Sequence, residues 1–131
     1  MNGMPELHVL VVDDEPAIRQ VLCAALNKAG YPVESAGSAA EALAKLDKTP
    51  FDVVLSDVFM PVTDGIELIK LARARGHAAT FIMITAFASV DSAIDAIKAG
   101  AWDYITRPVH NEEILRRLEQ IDAVRGVREE N

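Results

Sequence analysis

The sequence is poor in cysteine and has no long apolar run. Cys23 is the single cysteine among 131 residues, which excludes an internal disulfide and any structural zinc site built from cysteine pairs. No apolar stretch approaches the roughly 20 residues needed to span a bilayer, and residues 1–6 lack the basic start and apolar stretch of a secretory signal. We therefore expect a cytoplasmic protein with no membrane partner.

Basic residues are also fewer than acidic ones. The chain has 13 lysines and arginines against 20 aspartates and glutamates, a net charge of −7. An acidic chain is repelled by phosphate backbones, so we expect no direct binding to nucleic acid. Half of the residues are apolar, enough at this length for one buried core. The sequence predicts one domain over residues 7–124, with a frayed N-terminus at 1–6 and a frayed C-terminus or the start of a linker at 125–131.

Short apolar segments alternate with longer segments of helical spacing, for example Ile18, Val21, Leu22 and Leu26. Several of the short segments are almost continuously apolar, which is typical of parallel strands covered by helices on both faces. Five β/α units, and therefore an α/β fold, are predicted. The predicted strands are 7–12, 32–36, 53–55, 81–84 and 102–105.

Residues that start and stop helices agree with this alternation. Ser38 is followed three residues later by glutamate, and Asp64 has the same spacing, as in a capping box. Gly30 and Gly100 stand where helices are expected to end.

Polar residues follow four of the predicted strands. Asp13 and Asp14 follow the first strand, Asp57 the third and Thr85 the fourth, and the fifth leads to Arg107. In an open parallel sheet, ligands collect at the carboxyl ends of the strands. Three carboxylates, a hydroxyl and a guanidinium are therefore expected to converge on one edge.

Crowded carboxylates favour a bound cation. At ~4 Å and an effective dielectric near 20, two of them repel by on the order of 4 kcal/mol. A hard divalent cation would relieve this repulsion, and Mg²⁺ accepts a few carboxylates while keeping several waters. An aspartate can also attack phosphorus to give an acyl phosphate, in a reaction catalysed mostly by positioning and charge stabilisation.

The order and spacing of five motifs resemble the receiver domains of bacterial two-component response regulators. The resemblance covers about residues 7–124. It implies a doubly wound, flavodoxin-like, five-stranded parallel sheet in the order 2-1-3-4-5, with five helices on both faces. The motifs are Asp13-Asp14, the segment 57–65 (DVFMPVTDG), the segment 84–86 (ITA), the segment 100–104 (GAWDY) and Arg107-Pro108.

The resemblance implies a phosphorylation switch that takes its phosphoryl group from a sensor histidine kinase or phosphotransfer protein. Asp57 would be the phosphoacceptor, and Mg²⁺ would be held by Asp14, Asp57 and the backbone carbonyl of Phe59, with Asp13 acting through water. Mn²⁺ or Ca²⁺ could substitute in a crystal. Thr85 would bond a phosphoryl oxygen and shift on activation, as part of a two-state equilibrium.

The same resemblance implies how the signal leaves the domain. Tyr104 would change rotamer and report the change on the surface of the fourth helix, fifth strand and fifth helix, where a downstream protein or output domain would bind. The resemblance leaves open whether the domain forms a homodimer. The chain is either a complete single-domain regulator or the front of a longer protein.

Arg107 departs from the family pattern, which has lysine before this proline. Arginine is longer and suits a bidentate grip on phosphate, so Arg107 either grips the phosphoryl group or clamps Asp57 in the empty state. A cis Arg107-Pro108 peptide is expected, as in the family. Phe59 and Phe87 occupy the positions that flank the acyl phosphate in this family. We hypothesise that they hinder the attacking water and prolong the phosphorylated state.

Three functions compete. The first is the phosphoacceptor switch, which modifies itself and is not an enzyme with an external substrate. The second is a pseudo-receiver, an interaction module in which Arg107 mimics or blocks the activated state. The third is a Mg²⁺-dependent phosphatase, which is disfavoured because such chemistry usually needs an aspartate two residues after the nucleophile, where this chain has Phe59.

Overall fold

A computed structural model describes residues 7–107 and 110–130, except for the side chains of 125–130. All strand pairs are parallel and form one sheet in the order β2-β1-β3-β4-β5, so the predicted doubly wound α/β fold is confirmed. The elements are β1 (Val9–Val12), α1 (Pro16–Lys28), β2 (Val33–Ala36), α2 (Ala39–Lys48), β3 (Val53–Ser56), α3 (Gly65–Ala74), β4 (Thr80–Thr85), α4 (Val90–Ala99), β5 (Asp103–Thr106) and α5 (Asn111–Glu130).

The sheet has a hydrophobic layer on each face because alternate side chains of a strand point to opposite sides. Leu10 and Phe81 belong to the layer that includes residues of α2, α3 and α4. Val11 and Ile82 belong to the layer that includes residues of α1 and α5. Every residue of β1 and β3 is buried. The carboxyl ends of these central strands are therefore held by packing from both sides.

The predicted helix ends are confirmed. Ser38 and Asp64 accept hydrogen bonds from the backbone N–H groups three residues later, at 3.1 and 2.8 Å. Gly100 caps α4 with φ of 116°, and Gly30 follows α1 with φ of 94°. Only glycine adopts this left-handed conformation without a steric penalty.

Some element boundaries differ from the prediction. The first strand begins at Val9, where the ladder with Val33 starts, although Leu7 is also buried. The fifth strand is shifted by one residue because Asp103 is the first residue in register with β4. α5 continues to Glu130, so the backbone of 125–130 is helical. The frayed N-terminus predicted for 1–6 lies outside the described residues, and fraying or a linker at 125–131 stays a prediction.

Among the described helices, none is both long and apolar enough to cross a bilayer.

Candidate functional site

Acidic side chains from two adjacent strands meet at the carboxyl edge of the sheet. Asp13 and Asp57 directly follow β1 and β3, whose last residues are paired in register. One carboxylate oxygen each of Asp13, Asp14 and Asp57 lies within 4.8 Å of the others. Asp13 is buried, Asp57 half-buried and Asp14 exposed. The structure thus brings together the three carboxylates that the sequence predicted to converge, on the side open to solvent.

Asp13 is fixed by hydrogen bonds to both its side chain and its backbone. Its Oδ1 accepts from the backbone N–H of Glu15 at 2.9 Å, and its carbonyl accepts from Nη1 of Arg19 at 2.7 Å. Its own N–H donates to the carbonyl of Ala36 at 3.2 Å. A buried carboxylate is stable only with such partners. Asp13 is therefore held rigidly before any ligand arrives.

Asp57 lies over the start of α3. Its Oδ1 accepts from the backbone N–H of Phe59 at 3.3 Å, and its carbonyl accepts from Oγ of Ser56 at 2.9 Å. Gly65 donates its N–H to the carbonyl of Val58 at 2.7 Å. A Cβ at Gly65 would lie 2.1 Å from the Asp57 carbonyl oxygen. Glycine is therefore required at position 65, where the start of α3 lies against the backbone of Asp57. This steric requirement was not predicted from the sequence.

Thr85 ends β4 on the other side of Asp57. The residue is completely buried. Its hydroxyl accepts the backbone N–H of Phe87 at 3.2 Å and acts to lower the pKa of Asp57. Its carbonyl accepts the backbone N–H of Arg107 at 2.8 Å, which brings the arginine to the site.

Arg107 bridges two of the carboxylates. Its Nη2 donates to Oδ2 of Asp13 in a short hydrogen bond and lies 3.5 Å from Oδ2 of Asp57. Its Nη1 lies 3.8 Å from Oε1 of Glu15. Of the two carboxylates, Asp13 is the closer partner, whereas sequence reasoning named only Asp57. Pro108 lies outside the described residues, and so does the predicted cis peptide.

The environment of Asp57 disfavours its charged form. Burial raises the pKa of this carboxyl above its ordinary value, and the negative charge of Asp13 adds to the rise. The N–H of Phe59, the charge of Arg107 and the hydroxyl of Thr85 oppose it. Added positive charge would therefore stabilise the ionised form, which is the nucleophilic one.

Two exposed aromatic side chains lie in the loops that follow β3 and β4. Phe59 and Phe87 are 46% and 74% exposed. Their centroids are 6.4 Å apart and their planes are inclined at 77°, an edge-to-face arrangement. The two residues named as flanking positions are therefore in contact with each other.

Tyr104 lies apart from the carboxylates. It pairs in register with Met83 on β4 and is half-buried. Its hydroxyl lies 2.5 Å from Oγ of Ser92 in the first turn of α4. Sequence reasoning missed Ser92. A possible signal was its spacing from Ser89, whose hydroxyl caps this helix through the N–H of Ser92.

Comparison with known proteins gives a consistent family. The family model described as "Response regulator receiver domain" matches residues 9–119. The response regulator protein PilR of Pseudomonas aeruginosa is 40% identical over 120 residues, which are 92% of this chain and 26% of PilR. The transcriptional regulatory protein TrcR of Mycobacterium tuberculosis is 38% identical over 117 residues, 89% of this chain and 45% of TrcR. The chain thus spans less than half the length of these curated relatives.

Solved structures agree with the sequence relatives. A structure of the Vibrio cholerae chemotaxis protein CheY4 superimposes with a TM-score of 0.84 at 36% identity. The alignment covers 88% of this chain and 98% of that chain. This match and the family model agree on both the fold and the family. The chain belongs to the receiver domain family of response regulators.

Proposed function

We propose that this domain is a switch controlled by phosphorylation of Asp57 in the presence of Mg²⁺. The phosphoryl donor is a histidine kinase or a phosphotransfer protein, in a cytoplasmic setting. The domain modifies itself and turns over no external substrate. The observation that supports this most strongly is the meeting of Asp13, Asp14 and Asp57 with Thr85 and Arg107 at one edge of the sheet.

The transfer is a nucleophilic displacement at phosphorus. A carboxylate oxygen of Asp57 forms a bond to phosphorus while the phosphorus–nitrogen bond of the donor phosphohistidine breaks, and the electron pair returns to the imidazole. Nη2 of Arg107 lies 3.5 Å from this carboxylate, and the Thr85 hydroxyl acts to lower its pKa, so both would hold the new phosphoryl oxygens. The Asp57 side chain is 11% exposed at the carboxyl edge of the sheet, so the donor must approach it from that edge.

The residues present fit a magnesium ion. Mg²⁺ prefers hard oxygen ligands and commonly binds through one or two carboxylates together with phosphate oxygens. Asp13, Asp14 and Asp57 supply such oxygens within 4.8 Å of one another, and the carbonyl of Phe59 is the further ligand that the family implies. The ion would supply positive charge that stabilises the ionised carboxylates and the phosphoryl group.

The output surface that we propose is formed by α4, β5 and α5. α4 exposes an apolar stripe of Val90, Ile94 and Ile97, which are 75%, 46% and 51% exposed. Neighbouring exposed apolar side chains of this kind are typical of protein contact sites. Tyr104 on β5 is bonded to α4 through Ser92, so a change of its rotamer on activation would alter this face.

Phosphorylation can be tested by intact mass measurement. The purified protein is incubated with acetyl phosphate and MgCl₂, and we expect a mass increase of one phosphoryl group. The increase should be absent in Asp57→Asn and in EDTA, and retained in the matched control Asp91→Asn, which changes an exposed aspartate on α4. An unmodified mass under all conditions, including with a cognate kinase, would reject the proposal.

A pseudo-receiver is the second candidate, and the ion pairs of Arg107 with Asp13 and Asp57 favour it specifically. If this clamp blocks the site permanently, the wild-type protein stays unmodified and Arg107→Lys gains the phosphoryl group. Modification of the wild-type protein excludes the permanent clamp.

A further inference from the structure

We infer that Arg107 is an internal counter-cation that competes with a divalent cation for the carboxylate oxygens of Asp13 and Asp57. The inference rests on the proposed function, since it concerns the metal that phosphorylation requires. Arg107, which stands where the family pattern has lysine, would then help to set the metal affinity of the unphosphorylated domain.

The first support is the position of the guanidinium. Nη2 of Arg107 contacts Oδ2 of Asp13 and Oδ2 of Asp57 together. A single positive group thus already lies between two of the three carboxylates that would ligate a metal. A guanidinium presents donors in a fixed fork and is always charged, so it partly neutralises the site without any bound ion.

The second support is the saturation of Asp13. Its Oδ1 accepts the N–H of Glu15 and its Oδ2 accepts Arg107, and its side chain is only 3% exposed. A cation that uses Oδ2 of Asp13 must therefore displace the guanidinium or share the oxygen with it. Two positive charges this close repel strongly in a half-buried site.

The third support is an alternative carboxylate for the displaced guanidinium. Oε1 of Glu15 lies 3.8 Å from Nη1 of Arg107. The Glu15 side chain is 63% exposed and is not one of the three clustered carboxylates. Glu15 is therefore a positioning residue whose carboxylate can form an ion pair with Arg107 when the cation binds.

The test is calorimetric titration of the metal-free protein with MgCl₂. Arg107→Gln should lower the dissociation constant by about tenfold or more, because a unit positive charge leaves the site, and Arg107→Lys should give an intermediate value. In EDTA, Arg107→Gln should also melt at a lower temperature than wild type, and this difference should shrink in MgCl₂.

Arg19→Gln is the matched control. Arg19 has the same charge and lies 2.7 Å from the Asp13 carbonyl, but it makes that contact with the backbone. If Arg19→Gln and Arg107→Gln gain equally in Mg²⁺ affinity, the gain comes from the lower net positive charge near the site and not from the contacts of Arg107. That result would overturn the inference. Glu15→Gln should weaken Mg²⁺ binding in the wild-type background and much less in Arg107→Gln, if Glu15 acts through Arg107.

The outcomes separate this inference from the proposed function. If wild type and both Arg107 variants bind Mg²⁺ equally, the competition is absent and the phosphorylation switch stands. If none of the proteins binds Mg²⁺, the inference and the proposed metal site both fall.

Discussion

Gly65→Ala should destabilise the protein, because α3 begins in close contact with the backbone of Asp57. The new Cβ would lie 2.1 Å from the Asp57 carbonyl oxygen and 3.1 Å from Cα of Val58. Both atoms belong to the backbone, so no side-chain rotation can relieve the overlap, and one segment must move by roughly 1 Å to restore normal contact. Overpacking of this kind costs about 1–3 kcal/mol. Loss of the hydrogen bond from Gly65 to Val58 adds about 1 kcal/mol.

One effect works in the opposite direction. Alanine restricts the unfolded chain and so stabilises the folded state by about 0.4–1 kcal/mol. The net loss for Gly65→Ala is therefore about 1–3.5 kcal/mol. Gly37→Ala isolates the clash because it makes the same chemical change. The nearest atom to its Cβ is Nη1 of Arg19 at 3.0 Å, the far end of a flexible side chain.

Urea denaturation of both variants measures the difference directly. Gly65→Ala should have a lower midpoint than Gly37→Ala with an unchanged slope, which would mean a change in stability and not in the unfolded state. If the two variants agree within about 0.5 kcal/mol, the close approach of α3 to Asp57 does not constrain this position and the reasoning is refuted.

Four further changes test other parts of the structure. Val62 has φ of 70° and a fully exposed side chain. A branched residue is strained there, so Val62→Asn should raise the unfolding free energy in urea by about 1 kcal/mol. Ser92→Ala removes the hydrogen bond to the tyrosine of β5 and should speed amide hydrogen exchange in the first turn of α4, while unchanged exchange would contradict this coupling. A hydrogen bond from a histidine lowers the pKa of Asp47. Its stabilising contribution is present above the ordinary aspartate pKa and lost as pH falls through the lowered one, so Asp47→Asn should melt slightly below wild type near pH 7 and equally at about pH 2. Replacing Phe59 and Phe87 with serine should shorten the lifetime of the phosphorylated form measured by mass, and an unchanged lifetime would disprove their shielding role.

The fold could be predicted from the sequence because local signals agree with global packing. Apolar segments that lack alternation indicate strands buried on both faces, and capping residues such as Ser38 and Asp64 mark helix starts. Strand ends were predicted less well. Leu7 is as apolar and buried as a strand residue, yet it has no ladder partner, and pairing between chain segments is not visible in local composition.

The set of site residues could be predicted, but not all of the contacts among them. Strand ends bring Asp13, Asp57 and Arg107 together because a parallel sheet aligns them. Arg107 is separated by 94 residues from Asp13 and by 50 from Asp57, and the choice between them depends on the path of a long side chain. Glu15 was missed for the same reason. Its contact arises only after β1 and β5 are placed in one sheet.

The buried polar side chains are concentrated at one edge of the sheet. Among the described residues, the buried polar or charged ones are Asp13, Ser56 and Thr85, and all lie at the carboxyl ends of strands β1, β3 and β4. Burying such groups is unfavourable unless each has a partner, and within the described part of the chain no buried side-chain nitrogen or oxygen lacks one. The partners are backbone groups and the side chain of Arg107. The buried half of the site is therefore fixed by contacts that exist without a ligand, whereas Asp14 is exposed on the open side. If the proposed metal site is correct, a cation that enters from solvent meets carboxylate oxygens that are already ordered, and its main cost is the displacement of Arg107 from Asp13.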